Sequence, residues 1–246
     1  MPRRISAGRH FNAVGAKRWD KIGAERVSGT PSDLSFPGLA RFDYDGNVAA
    51  SQGIRIQQAL ATVFLDRDGV INEKMPEGQY VCSEREFRIL PGVPEAIAKL
   101  NHSGIRVLVV SNQRGVALGK LTLEAIEDIH RTLQARLNQY SARIDGFFVC
   151  PHHRESCACR KPLPGLYRQA AARFPEVKAE SSVVIGDSHS DIQFGHSLGM
   201  ATIWIRGSST EPRPGSEDAE RLADLCCASL PEAIKVLLES RGNQTP

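Results

Sequence analysis

Asp66-Arg67-Asp68-Gly69 follows directly on Ala-Thr-Val-Phe-Leu (61–65), a short apolar and partly β-branched run. Residues two apart on a chain leaving a sheet project to one side, so Asp66 and Asp68 can face one site, and Gly69 permits a sharp turn behind them. An aspartate can attack phosphorus to give an acyl phosphate, while a second one nearby protonates the leaving oxygen and then deprotonates water. A calcium loop fits less well, because the glycine comes fourth rather than sixth and a strand precedes it. Gly186-Asp187 ends another apolar run and adds a third carboxylate. Clustered carboxylates stay ionised together only beside a cation. Mg²⁺ suits them, since it is bound through one or two carboxylates plus substrate phosphate. Ser111 and Asn112, after the run 105–110, can donate to phosphate oxygens, and Lys161 offers a point charge. Taken singly, each of these is also what a strand-end turn, a cap or a solvated loop looks like. Together, at four expected strand ends, they point to a phosphate-handling site.

Three of the six cysteines, Cys150, Cys157 and Cys159, fall within ten residues beside His152 and His153. An odd thiol cluster with imidazole suits a metal better than a disulfide framework. Three thiols and one imidazole would fill the four places of a tetrahedral, structural Zn²⁺ and shape the loop that carries Arg160 and Lys161. Unligated or redox thiols are the alternative. Cys82, Cys226 and Cys227 read as incidental, and a reducing compartment, the cytoplasm, is expected.

These residues need a scaffold that brings distant segments to one edge. Apolar runs at 61–66, 105–110, 144–149, 182–185 and 201–205 read as buried strands. Helical periodicity runs over 93–101, then over a long helix capped by Thr122 with Leu123, Ile126, Ile129, Leu133 and Leu137 in one stripe, then over 164–174, 190–198 and about 231–238. Alternating strands and helices imply an α/β fold: a three-layer, Rossmann-like parallel sheet with helices on both faces. In such sheets ligands gather beyond the carboxyl ends of the strands. Residues 1–59 lack periodicity and read as a loosely ordered extension to a domain over 60–242.

With 246 residues, 41% of them hydrophobic and 24% charged, the chain has globular composition. The net charge of +3 resides in the first 60 residues, with nine basic against five acidic side chains; the remainder is net −1. That argues against nucleic-acid and membrane surfaces. The expected partner is a small phosphorylated molecule, and the expected state a monomer.

Phe-Leu-Asp66-Arg-Asp68-Gly-Val-Ile-Asn72, Val-Val-Ser111-Asn112-Gln113-Arg114-Gly115, Cys150-Pro-His152, Cys157-Ala-Cys159-Arg160-Lys161-Pro162 and Gly186-Asp187-Ser-His-Ser-Asp191 together resemble the haloacid dehalogenase superfamily. The resemblance is closest to its zinc-bearing histidinol-phosphate and heptose-bisphosphate phosphatase branch, and covers about 61–207, more weakly to 238. It implies a Mg²⁺-dependent phosphomonoesterase in which Asp66 is the nucleophile and Asp68 the acid and then base. Mg²⁺ would be held by Asp66, the Asp68 backbone carbonyl and Asp187. Ser111, Asn112, Gln113, Arg114, Arg160 and Lys161 would bind the phosphoryl group and the rest of the substrate. Zinc would fall on Cys150, His152, Cys157 and Cys159, leaving His153 a bystander. No interval between these motifs has room for a cap domain, so an open site rimmed by 72–80 and the zinc loop is expected. Ile71-Asn72, Tyr80-Val81 and Leu90-Pro91-Gly92-Val93 lean toward the heptose-bisphosphate members, which remove the 7-phosphate of D-glycero-D-manno-heptose 1,7-bisphosphate, and so imply a sugar phosphate as the partner. Leu118 stands where the family usually has Arg, and the rim before Tyr80 is a few residues longer. Histidinol-phosphate hydrolysis is the nearest alternative; an idle zinc-stabilised binding module and a nucleic-acid end phosphatase are more distant ones.

Overall fold

The computed structural model describes residues 58–207 and 215–242, so the extension expected over 1–59 lies outside the described residues but for its last two. Six strands form one sheet: β1 (Thr62–Leu65), β2 (Arg106–Asn112), β3 (Gly146–Cys150), β4 (Ser182–Gly186), β5 (Ala201–Ile205) and β6 (Leu225–Cys227). All pairings are parallel, in the order β3-β2-β1-β4-β5-β6. The chain moves outward from β1 through β2 to β3 and then returns to the other side of β1, so the order reverses between β1 and β4. That reversal opens a crevice at the strands' carboxyl ends.

Alternation along the strands explains the layers. Val63 and Leu65 share a cluster with Val107, Val109, Val183 and Ile185, against α1 (Val93–His102), α2 (Leu123–Asn138) and α6 (Leu230–Gly242). Phe64, Leu108, Val110 and Val184 turn to the other face, against α3 (Gly165–Arg173) and α4 (His189–Ser197). With both faces covered, the strands can be continuously apolar, as β1 is: all four of its residues are buried. A smaller cluster of Ile192, Trp204 and Ala219 seats α5 (Ser216–Leu222) against α4 and β5. Thr122 caps α2, its hydroxyl accepting from Ala125 N at 3.2 Å. Leu123 departs from the expected stripe: as the first residue of the helix it is 44% exposed, and the buried stripe begins at Ile126.

Leu65 pairs with Val109 on one side and Ile185 on the other, so Asp66 leaves the sheet beside Val110 and Gly186, while β2 runs on against β3 to Asn112. Among the described residues, α2 is the sole helix between β2 and β3, and 66–92 carries only isolated bridges, so no separate cap covers this edge.

Candidate active site

Asp66 takes the first place after β1, where its backbone N–H still donates to Ile185 O at 2.9 Å. Its Oδ1 accepts from Lys161 Nζ at 2.8 Å, and the same ammonium lies 2.6 Å from Asp191 Oδ1 and donates to Val110 O at 2.5 Å. Lys161 is thus buried with every contact anionic or polar, which drives its pKa upward despite the opposing effect of burial. Burial raises the Asp66 carboxyl most; Lys161 lowers it, and Asp191, Asp187 and Asp68 raise it further, to about 7. One ammonium therefore does not satisfy this group of carboxylates. Asp66 Oδ2 has no hydrogen-bond partner among the described residues and stays available.

Asp68 is gathered from three sides. The fully buried Arg67 donates through Nη2 at 2.9 and 3.0 Å, Asn72 Nδ2 donates to Oδ1 at 2.9 Å, and Gln113 Nε2 donates to Oδ2 at 2.8 Å. Burial would raise this carboxyl, but the Arg67 charge and these bonds together hold it below the usual range. Gln113 Nε2 also donates to the buried Ser111 Oγ at 2.9 Å, tying the end of β2 to the turn after β1. Asn112 makes reciprocal bonds with the Lys161 backbone, Nδ2 to O at 3.1 Å and N to Oδ1 at 3.0 Å, and so holds the lysine's loop against β2. Arg114 Nε and Arg160 Nη1 are buried without a hydrogen-bond partner, and neither residue is bonded to the carboxylate group.

Asp187 begins the turn after β4 and is buried. Gly69, at φ +96°, passes so close that a Cβ there would fall 2.0 Å from Asp187 Oδ2, which is why this turn requires glycine. Carboxylate oxygens of Asp66, Asp187 and Asp191 lie within 4.8 Å of one another, a spacing that fits one small divalent cation. Asp191 is the member without an expected role. Its Oδ2 accepts from Ser188 N at 3.1 Å and Ser188 Oγ at 2.6 Å in a capping box, while its Oδ1 faces Lys161. Asp191 thus anchors the lysine through one oxygen and caps α4 through the other. The four-residue step from Asp187 was the signal for it. Asn72 and Arg67, which orient Asp68, and Lys74, whose Nζ donates to Asp187 at 2.8 and 3.0 Å, likewise carried no expected catalytic task.

The second cluster closes the loop after β3. Cys150, His152, Cys157 and Cys159 come together with Sγ to Sγ distances of 3.4 and 3.5 Å and His152 Nδ1 at 3.2 and 3.7 Å from Cys159 and Cys150. A tetrahedral Zn²⁺ with Zn–S of about 2.3 Å sets sulfurs about 3.8 Å apart, so the four groups fit that ion with shifts of a few tenths of an ångström. Burial, and then the neighbouring thiols Cys150 and Cys157, push the Cys159 thiol up. A divalent ion on these four groups would be needed to hold the sulfurs as thiolates. His153 is exposed and outside the group.

A buried aspartate at a strand end, a second aspartate two residues on and a lysine bridging two carboxylates form the kind of site that phosphoryl transfer to a carboxylate needs. The HAD-hydrolase-like family model matches residues 158–233. The chain is 39% identical over 183 residues to D-glycero-alpha-D-manno-heptose-1,7-bisphosphate 7-phosphatase of Mycobacterium tuberculosis, covering 74% of this chain and 94% of that protein. It is 33% identical over 189 residues to the Vibrio cholerae protein named for the beta anomer, covering 73% and 97%. A crystal structure of the D,D-heptose 1,7-bisphosphate phosphatase of B. bronchiseptica, complexed with magnesium and phosphate, superposes with a TM-score of 0.64 at 30% identity, covering 74% and 99%. The chain belongs to the haloacid dehalogenase-like phosphatases, in the branch that contains these relatives, and is a phosphoric monoester hydrolase.

Proposed function

We propose that the protein hydrolyses a sugar bisphosphate, removing the 7-phosphate of D-glycero-D-manno-heptose 1,7-bisphosphate, with Asp66 as nucleophile. The observation that carries this reading is the Asp66 to Lys161 contact of 2.8 Å beside Asp187, in a chain whose relatives bear that activity in their names. Asp66 attacks phosphorus, the bond to the sugar oxygen breaks, and that oxygen takes a proton from Asp68. Water then attacks the aspartyl phosphate, Asp68 accepts its proton, and phosphate leaves with Asp66 restored. Asp68 is ionised before substrate arrives, so the proton it passes on enters with the phosphate, whose second ionisation lies at about pH 6. Lys161 and Ser111 stabilise the phosphoryl oxygens, with Asn112 and Gln113 holding them in place. Arg114 and Arg160 would contact the rest of the substrate.

Asp66 and Asp187, with the Asp68 backbone carbonyl, would hold Mg²⁺, which when bound offsets charge on the transferring group. Cys150, His152, Cys157 and Cys159 would hold structural Zn²⁺. A phosphate-release panel tests the assignment. Heptose 1,7-bisphosphate is expected to exceed histidinol phosphate by at least about tenfold in kcat/KM, about 1.4 kcal/mol. The alpha anomer is expected ahead of the beta, following the 39% identical relative. Preference for histidinol phosphate would reassign the substrate.

A further inference from the structure

Lys74 belongs to none of the motifs, yet it reaches the centre of the site. Two residues before it, Asn72 is fully buried, and its Nδ2 donates both to Asp68 Oδ1 and to Glu73 O at 2.8 Å. Glu73 N donates to Arg88 O at 2.8 Å. The backbone next to Lys74 is therefore fixed, and the freedom lies in its side chain, which is 37% exposed at the rim while its ammonium sits on both oxygens of Asp187. The Asp187 side chain is 0% exposed. A buried carboxylate without a counter-charge is costly, so something positive must face Asp187 before any divalent ion arrives.

Mg²⁺ takes carboxylate oxygens at about 2.1 Å. An ammonium on the same two oxygens would crowd that ion and repel it. We infer that Lys74 is an exchangeable counter-ion: it neutralises Asp187 in the cation-free enzyme and must withdraw into solvent for the divalent cation to bind. This rests on the reading that Asp187 faces the cation. Lys161 cannot play the same part, since it is buried and held by Asp66, Asp191 and Val110 O together. Lys74 alone of the two has an exposed stem along which to retreat.

The test uses zinc-loaded, magnesium-free protein and Mn²⁺ as the probe, with free Mn²⁺ read by electron paramagnetic resonance. Lys74→Gln is expected to bind Mn²⁺ about tenfold more tightly than the unaltered protein, because no ammonium has to be displaced. Equal or weaker binding by the variant, with the unaltered protein still binding, overturns the exchange and leaves the cation site standing. No binding by either overturns both. A second measurement avoids the variant altogether: amine acetylation of the unaltered protein, quantified by peptide mass spectrometry. Adding Mg²⁺ is expected to raise labelling of Lys74 severalfold while the exposed Lys99 and Lys235 stay constant. Unchanged or reduced labelling at Lys74 counts against the exchange.

Discussion

Four carboxylates and three thiols are gathered at neighbouring strand ends, and the chain treats them differently. Asp66 and Asp191 share the ammonium of Lys161, Asp187 has that of Lys74, and Asp68 has the guanidinium of Arg67. Cys150, Cys157, Cys159 and His152 have hydrogen bonds to one another and no lysine or arginine among those bonds. The first group can be assembled by folding alone because its counter-charges are covalently present. The second has no such charge of its own, and on the proposed reading zinc binding there would supply folding energy to the loop. The two meet at Lys161, whose backbone belongs to the thiol loop and whose side chain belongs to the carboxylates.

Asp66→Asn breaks the comparison most sharply on the acid side. It is expected to lower kcat by at least about 10⁴-fold by removing the proposed nucleophile, while zinc content measured by elemental analysis stays at that of the unaltered protein. Loss of zinc in this variant would show that the two groups are one. Cys157→Ser tests the other side, and because Cys157 is only half-buried the change leaves the core intact. It is expected to lose zinc, raise amide exchange over 150–163 and cost about 10²-fold in kcat/KM through misplaced Lys161. Full activity without zinc would uncouple the loop from catalysis.

His130 sharpens the comparison through pH. Burial first, and then the Arg67 charge, hold its imidazole down at about 3, with Asp68 pulling the other way. The native state keeps it neutral while the unfolded chain protonates near 6.5, so the stability is complete above that pH and is lost as pH falls toward about 3. At pH 5 this single group removes about 2 kcal/mol. Urea unfolding at pH 8 and pH 5 should therefore show a smaller acid loss for His130→Phe, which keeps the ring stacked 4.1 Å from Phe147. An identical loss in both proteins would remove His130 from the account. The smallest effect is expected at the junction itself. Asn112→Ala deletes both bonds to the Lys161 backbone and should cost about tenfold in kcat/KM, about 1.4 kcal/mol, with zinc retained.

The strand ends were legible because each is an apolar run stopped abruptly by a polar residue, which only a buried strand leaving its sheet requires. β6 left no such trace: it has three residues, two of them half-buried, at the sheet's edge, and α5 has seven residues with Ala219 alone buried. Arg67 shows the limit of alternation. Period-two reasoning turns it away from its neighbouring aspartates, but the strand stops at Leu65, and the turn brings the guanidinium back onto Asp68. Lys74 was illegible for another reason, since its partner Asp187 lies 113 residues away and no local pattern joins them.

The register of β1 against β4 has a consequence for how such an enzyme can be diversified. The approach of Asp66 to Asp187 is set by main-chain pairing of β1 with β4, which is indifferent to side-chain identity in the rim. Lengthening or recomposing 72–80, or the thiol loop outside its Cys and His residues, would alter which phosphate ester is admitted while the carboxylates below keep their spacing. Those two stretches are the places to begin a redesign.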